Sequence, residues 1–131
     1  MTAVSRRRPL ARSNAHFRKA VNALPLGVSS NFRYWGEDHT LYVKEGRGGR
    51  ITDIDGNRYL DYIGSWGPMI LGHAHPDVVA AIREAATKGS SYGAPTEAEI
   101  TMAERIRDAV PTMEMSRLVS SGTEATMGAL R

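Results

Sequence analysis

The chain has 131 residues, 41% hydrophobic and 24% charged, enough for one domain with a core of its own. It contains no cysteine, which excludes disulfides, thiolate metal sites and a cysteine nucleophile, and no apolar run approaches the ~18 residues of a membrane helix. The formal net charge of +3 divides unevenly: residues 1–36 carry seven basic and no acidic side chains, and residues 37–131 a net charge of −4.

The basic head is read as a disordered extension over residues 1–12. No apolar segment follows Arg6, Arg7 and Arg8, so it is not a secretory signal. No aromatic residue interleaves with them, which argues against nucleic acid as a partner. Residues 13–24 are predicted to be a helix, capped by Ser13 or Asn14, with Phe17, Ala20, Val21 and Leu24 at helical spacing. Pro25 and Gly27 end it. Residues 26–39 have no clean period and crowd Ser29, Ser30, Arg33, Tyr34 and Trp35 into a predicted loop. An arginine there can hold a carboxylate with two parallel hydrogen bonds, or lie at the surface stacked on Tyr34 or Trp35. The local sequence leaves both open.

Residues 40–62 read as a three-stranded antiparallel meander. Its strands are 40–44, 50–54 and 57–62, and Asp55-Gly56 is a hairpin signal. Gly46, Gly48 and Gly49 lie between strands with no helix after them, so they are read as a turn and not as a phosphate loop. Residues 63–75 form an apolar, glycine-punctuated connection. Trp66 lies among small residues, as a pocket wall or a core tryptophan would. His73 and His75 lack a nearby acidic residue or third histidine, and a structural metal site takes four ligands, so no metal is assigned.

Pro76 is predicted to open a helix to Lys88, with Asp77 in its first turn and Gly89 after its end. Val78, Val79, Ile82, Ala85 and Ala86 make its buried stripe. Thr96-Glu97-Ala98-Glu99 is read as a capping box opening a helix to Val110. Ile100, Ala103, Ile106 and Val110 face inward, and Pro111 ends it.

The most informative stretch comes last. Ser116-Arg117-Leu118-Val119 is read as a short strand, Ser120-Ser121 as a turn, and Gly122 onward as a helix. Strand, small-residue turn and helix start make an anion cup. The Gly122 and Thr123 N–H groups would be unpaired first-turn donors, and the helix dipole adds positive charge. Hydroxyls of Ser120, Ser121 and Thr123 add donors, and Gly122 admits close approach. The alternative is an ordinary N-cap formed by Ser121 or Thr123.

Three strings then combine: Ser65-Trp66-Gly67-Pro68-Met69-Ile70-Leu71-Gly72-His73-Ala74-His75-Pro76, Tyr92-Gly93-Ala94-Pro95-Thr96-Glu97, and Ser121-Gly122-Thr123-Glu124-Ala125-Thr126-Met127. With the Asp53–Tyr62 hairpin, they resemble the class III aminotransferases of PLP fold type I. Within that class they resemble most closely the glutamate-1-semialdehyde 2,1-aminomutase family. The resemblance runs from about residue 25 to the end. It implies an α/β chain: an N-terminal helix and meander over 13–75, then the start of the large cofactor-binding domain over 76–131, incomplete. It implies pyridoxal 5'-phosphate, with Ser121, Gly122 and Thr123 at its phosphate. Arg33 matches the family's substrate-carboxylate arginine, Ser30 a serine near it, and Trp66 a pocket tryptophan beside the substrate.

The implied reaction moves an amino group between neighbouring carbons of glutamate 1-semialdehyde, giving 5-aminolevulinate for tetrapyrrole synthesis. The implied setting is a homodimer in the cytoplasm, with a small amino-acid-like substrate and neither nucleic acid nor membrane as partner. No catalytic residue falls in the chain: none of Lys19, Lys44 and Lys88 matches the family's Schiff-base lysine, which lies beyond residue 131. The chain therefore reads as the N-terminal piece of a longer enzyme, inactive alone. Departures from the family bear on the substrate. Tyr34 and Trp35 are bulkier than the family's usual residues, Ser120 replaces an asparagine, and Tyr92 replaces a phenylalanine. A class III transaminase for another amino acid, or a non-catalytic interaction fragment, are the alternatives.

Overall fold

The computed structural model describes residues 8–131. The chain forms two compact units, Met1–Glu84 and Ala85–Arg131. In the first, helix α1 (Ala11–Ala20) precedes a small sheet of β1 (Val43–Arg47), β2 (Arg50–Asp53) and β3 (Arg58–Leu60). Helix α2 (Pro76–Lys88) begins in the first unit and ends in the second, which also holds α3 (Glu97–Ala109) and α4 (Gly122–Ala129).

The sheet is an antiparallel meander in the order β1-β2-β3, as predicted, but β1 runs three residues later than the expected 40–44, so Gly46 lies in the strand opposite Ile51 and only Gly48 and Gly49 form the turn. Arg47 pairs with Arg50, Ile51 with Tyr59 and Thr52 with Arg58. Its second turn is built around Asp53, which is 1% exposed. The Asp53 carboxylate accepts from the Asn57 amide at 2.7 Å, the Asn57 side chain at 2.9 Å and the Tyr59 hydroxyl at 2.8 Å. A buried carboxylate with three donors has its desolvation cost offset. Burial and the bond to Asp53 push the Tyr59 hydroxyl above its ordinary value, against the nearby Arg8.

Helix α1 begins two residues earlier than its spacing predicts. Neither Ser13 nor Asn14 caps it. Ser13 lies inside the helix, and the cap comes from the far side of the sequence. Asp55, in the β2–β3 turn, accepts the Arg12 amide at 2.7 Å and the Ser13 amide at 2.9 Å. It also accepts the Ser13 hydroxyl at 2.6 Å. First-turn amides lack intrahelical partners, and a carboxylate at the positive helix end satisfies two of them. Partial burial alone would raise the Asp55 carboxyl, but the Ser13 hydroxyl and the two amides outweigh it and hold it below its ordinary value.

The expected disordered extension is accordingly shorter than residues 1–12. Its first seven residues lie outside the described ones. Arg8 sits 4.5 Å from the centre of the Tyr59 ring and donates to the Arg58 carbonyl at 2.7 Å. Helix α1 also stops sooner than predicted, at Ala20, because the chain passes through turns at 21–24 into a 3-10 turn at Pro25–Gly27. Phe17 packs on Tyr34 (ring centres 6.1 Å apart) and is the one buried hydrophobic side chain among the described residues.

Helix α2 takes its predicted bounds. Its stripe is not buried: Val78 and Ile82 are exposed, as is Ile100 of α3. The Thr96 capping box does not form, because the Thr96 hydroxyl turns to the Glu99 carboxylate, leaving α3 without a side-chain cap. The predicted strand at 116–119 is also absent. Among the described residues it finds no neighbour to pair with, and an unpaired segment is not a strand. No helix among the described residues is long and apolar enough to cross a membrane.

Candidate functional site

Two sites arise, one in each unit. The first is a cavity of about 490 Å³, lined by Arg33, Trp66, Phe32, Ser29, Asp61 and His73, with apolar neighbours from the β1 approach. Arg33 closes a 3-10 turn (Asn31–Arg33), its amide donating to the Ser30 carbonyl at 2.9 Å. Its guanidinium has no ion-pair partner among the described residues and stacks on neither Tyr34 nor Trp35. The structure thus removes the stacked position and puts Arg33, exposed, at the lining of the cavity. Ser30 meets Arg33 through backbone, and Ser29, one residue earlier, supplies the cavity-lining serine.

Trp66 reaches the same cavity from a second 3-10 turn, Gly64–Trp66. It is 67% exposed, so it is a wall and not a core residue. Its ring meets Phe32 edge-on at 5.7 Å, joining the two turns. Both Ser65 and Trp66 have positive φ, 55° and 68°. Consecutive non-glycine residues in the left-handed region persist only when their surroundings over-determine them.

Sequence reasoning missed what holds that turn. Asp61, just after β3, accepts the Ile63 amide at 2.9 Å and the Gly64 amide at 3.0 Å through one oxygen. Its other oxygen lies 2.6 Å from His73 Nε2. The His73 bond, with the Gly64 amide next, holds the Asp61 carboxyl below its ordinary value. His73 is pinned by its own backbone, which exchanges two hydrogen bonds with Gly48, at 2.8 and 2.9 Å. Gly46 leaves room for the imidazole, since a Cβ there would lie 2.6 Å from the ring. The signal was present as Gly46 and Gly72, but only the fold reveals that a Cβ on Gly46 would strike the His73 ring and one on Gly72 the Gly48 backbone.

The second site is the start of α4. Ser121 is the N-cap, its hydroxyl oxygen accepting the Glu124 amide at 3.2 Å. Glu124 reaches back to accept the Ser120 amide at 2.8 Å. Ser120 is thereby used up as a backbone donor, while the Gly122 and Thr123 amides have no partner among the described residues. The Ser121 hydroxyl accepts and keeps its proton to donate. A Cβ on Gly122 would meet nothing within 4 Å, so the space beside Gly122 is open. No group of three or more potential metal ligands occurs among the described residues.

Residues 33–131 match the sequence model of the family described as Aminotransferase class-III. A curated relative, the glutamate-1-semialdehyde 2,1-aminomutase of Rhodopirellula baltica, is 58% identical over 128 residues, covering 95% of this chain and 29% of that protein. Among solved structures, one described as a transaminase with PLP bound is 37% identical with a TM-score of 0.87, covering 95% of this chain and 29% of its own. A glutamate-1-semialdehyde aminomutase from Pseudomonas aeruginosa is 32% identical with a TM-score of 0.66, covering 74% of this chain and 22% of its own. The chain thus spans about 29% of the length of the curated relatives it matches.

Proposed function

The chain belongs to the class III aminotransferase family, and on that premise we propose that it is the N-terminal part of a pyridoxal-phosphate-dependent aminomutase. The enzyme converts glutamate 1-semialdehyde to 5-aminolevulinate in tetrapyrrole synthesis. The observation that supports this reading is the α4 start, where the Gly122 and Thr123 amides have no partner among the described residues and the space beside Gly122 is open. A phosphate dianion accepts from such donors and is favoured by the helix dipole. The residues present therefore fit the phosphate end of the cofactor: Ser121, Gly122 and Thr123 hold it, and Ser120 and Glu124 fix the turn.

When bound, pyridoxal phosphate supplies an electron sink for bond changes at the amino-bearing carbons. The chain's own residues do the positioning. Arg33 grips the substrate carboxylate with two parallel hydrogen bonds, with the Ser29–Ser30 backbone shaping its turn. Trp66 and Phe32 form a wall that keeps water from the substrate, and excluding water strengthens the arginine's hold. Residues 13–75 form the substrate-side segment and residues 76–131 open the cofactor domain. The covalent chemistry belongs to a lysine outside this chain, so the chain alone gives no turnover. The working enzyme is a cytoplasmic homodimer with no nucleic-acid or membrane partner.

One observation favours a second reading, a transaminase for another amino acid. The transaminase structure superposes better than the aminomutase structure, with TM-scores of 0.87 and 0.66. A chimera separates them: this chain replaces the matching N-terminal region of the Rhodopirellula baltica aminomutase. Formation of 5-aminolevulinate from glutamate 1-semialdehyde supports the aminomutase. A folded chimera that carries cofactor and exchanges amino groups only with other amino acids contradicts it.

A further inference from the structure

Nothing in the cavity's chemistry requires Asp61 and His73 to touch a substrate, yet both line it and both are committed elsewhere. Asp61 uses both carboxylate oxygens on its own surroundings, one on two amides of the Trp66 turn and the other on one imidazole nitrogen. That turn carries two non-glycine residues at positive φ, a backbone that persists only where its surroundings over-determine it. His73 has been given its place at some expense. Its strand partner Gly48 lies in a hairpin turn, a Cβ on Gly46 would occupy its ring position, and a Cβ on Gly72 would lie 2.8 Å from the Gly48 backbone. His73 is thereby tied by its backbone to the meander's first hairpin and by its imidazole to Asp61, whose own amide donates to the Gly49 carbonyl at 2.9 Å.

We propose that Asp61 and His73 form a positioning pair that fixes the Trp66 turn, and through it the width of the cavity opposite Arg33. His73 is the anchor and Asp61 the adaptor. The backbone bridge to Gly48 fixes the imidazole, the imidazole fixes the carboxylate rotamer, and the carboxylate holds the Ile63 and Gly64 amides in the geometry that turns Trp66 toward the cavity. Neither residue is catalytic. The pair sets selectivity for the part of a carboxylate-bearing substrate that extends from Arg33 to the indole. The selectivity clause rests on the substrate reading of the cavity given above; the positioning clause rests on the geometry alone.

The test uses this chain with 5-fluorotryptophan in place of its two tryptophans, Trp35 and Trp66, and fluorine NMR, with Trp66→Phe assigning the signals. In the parent chain, Trp66 gives one sharp resonance. In His73→Leu that resonance broadens or splits while Trp35 keeps its position, and Asp61→Ala does the same. In the double variant the change is no larger than in either single one, as expected for two members of one contact. His73→Gln, whose side-chain amide can still donate to Asp61, restores the sharp signal. Glutarate, a carboxylate probe, shifts the Trp66 resonance in the parent chain and loses at least tenfold in affinity in His73→Leu.

An unchanged Trp66 signal in His73→Leu overturns the proposal. So does equal disturbance of both tryptophans in His73→Leu and His73→Gln, which reports general loss of packing. If the Trp66 signal responds to His73 as described but glutarate shifts nothing in the parent chain, the positioning pair stands and the substrate reading of the cavity fails.

Discussion

Arg33 shows how far a single residue could be read. Its type and its aromatic neighbours suggested either carboxylate binding or a stacked surface position. The difference between them is a matter of which ring the chain brings near, which no local pattern contains. In the structure Tyr34 is taken by Phe17, the cation over a ring is Arg8 on Tyr59, and Arg33 is left facing the cavity. In the chimeric enzyme, Arg33→Ala should raise KM for glutamate 1-semialdehyde by about 10- to 100-fold, the worth of a charge-assisted bond pair, with kcat changed much less. Steady-state kinetics decide it; a fall in kcat at constant KM would mean the arginine is not a ground-state carboxylate anchor.

Asp61 makes a separate prediction in acid. Its folded carboxyl titrates below the ordinary value of 3.8. Such a group stabilises the fold fully above its unfolded value and loses that contribution as pH falls through the folded one. Denaturant midpoints measured from about pH 5 down to about pH 2 should fall more steeply in the parent chain than in Asp61→Asn. Parallel curves would show that the carboxylate contributes nothing to the acid limb.

At the scale of elements, the sequence was most legible where structure is local. The meander's topology, the place of β2 and the bounds of α2 follow from alternation, Asp-Gly chemistry and proline at the first helical position, whereas β1 lies three residues later than read. It was least legible where a partner is distant. Asp55 caps α1 across 42 residues of chain, displacing the expected Ser13 or Asn14 cap. The 116–119 segment has the composition of a strand but finds nothing to pair with among the described residues.

Glycines carry the same lesson. Gly72 was read as a breaker, but its role is close approach: at φ +75° a Cβ would press the Gly48 backbone at 2.8 Å. Gly72→Ala should therefore cost about 1–3 kcal/mol in chemical denaturation and loosen the His73 bridge; an unchanged midpoint would refute the tight contact. Gly122→Ala should behave oppositely. Its Cβ meets nothing, so thermal stability should be unchanged or slightly raised, alanine being the better helix former.

Across the described residues, several read as core from helical periodicity are exposed in α2 and α3, Ile82 and Ile100 each at 62%, while Val79, Ala103 and Ile106 are half-buried. Periodicity identifies the apolar face of a helix; it does not say what covers that face. Such surface favours self-association. Light scattering should show the apparent mass of the chain rising with concentration and falling back in Ile82→Glu/Ile100→Glu, whereas a constant monomer mass would contradict this.

The family assignment and the turn that opens α4 were both legible because each is written in short contiguous strings. Arg33, Asp61 and His73 had to be assembled by the fold. The claim on which the functional account most depends is that the α4 start grips a phosphate. The direct measurement is an amide NMR titration of the chain with pyridoxal phosphate, with inorganic phosphate and with pyridoxal, which lacks the phosphate. The account predicts saturable shifts of the Gly122 and Thr123 amide signals with the first two, mutual competition between them, loss of both in Gly122→Ala, and no response to pyridoxal. Equal shifts with pyridoxal, or none with any of the three, would contradict it.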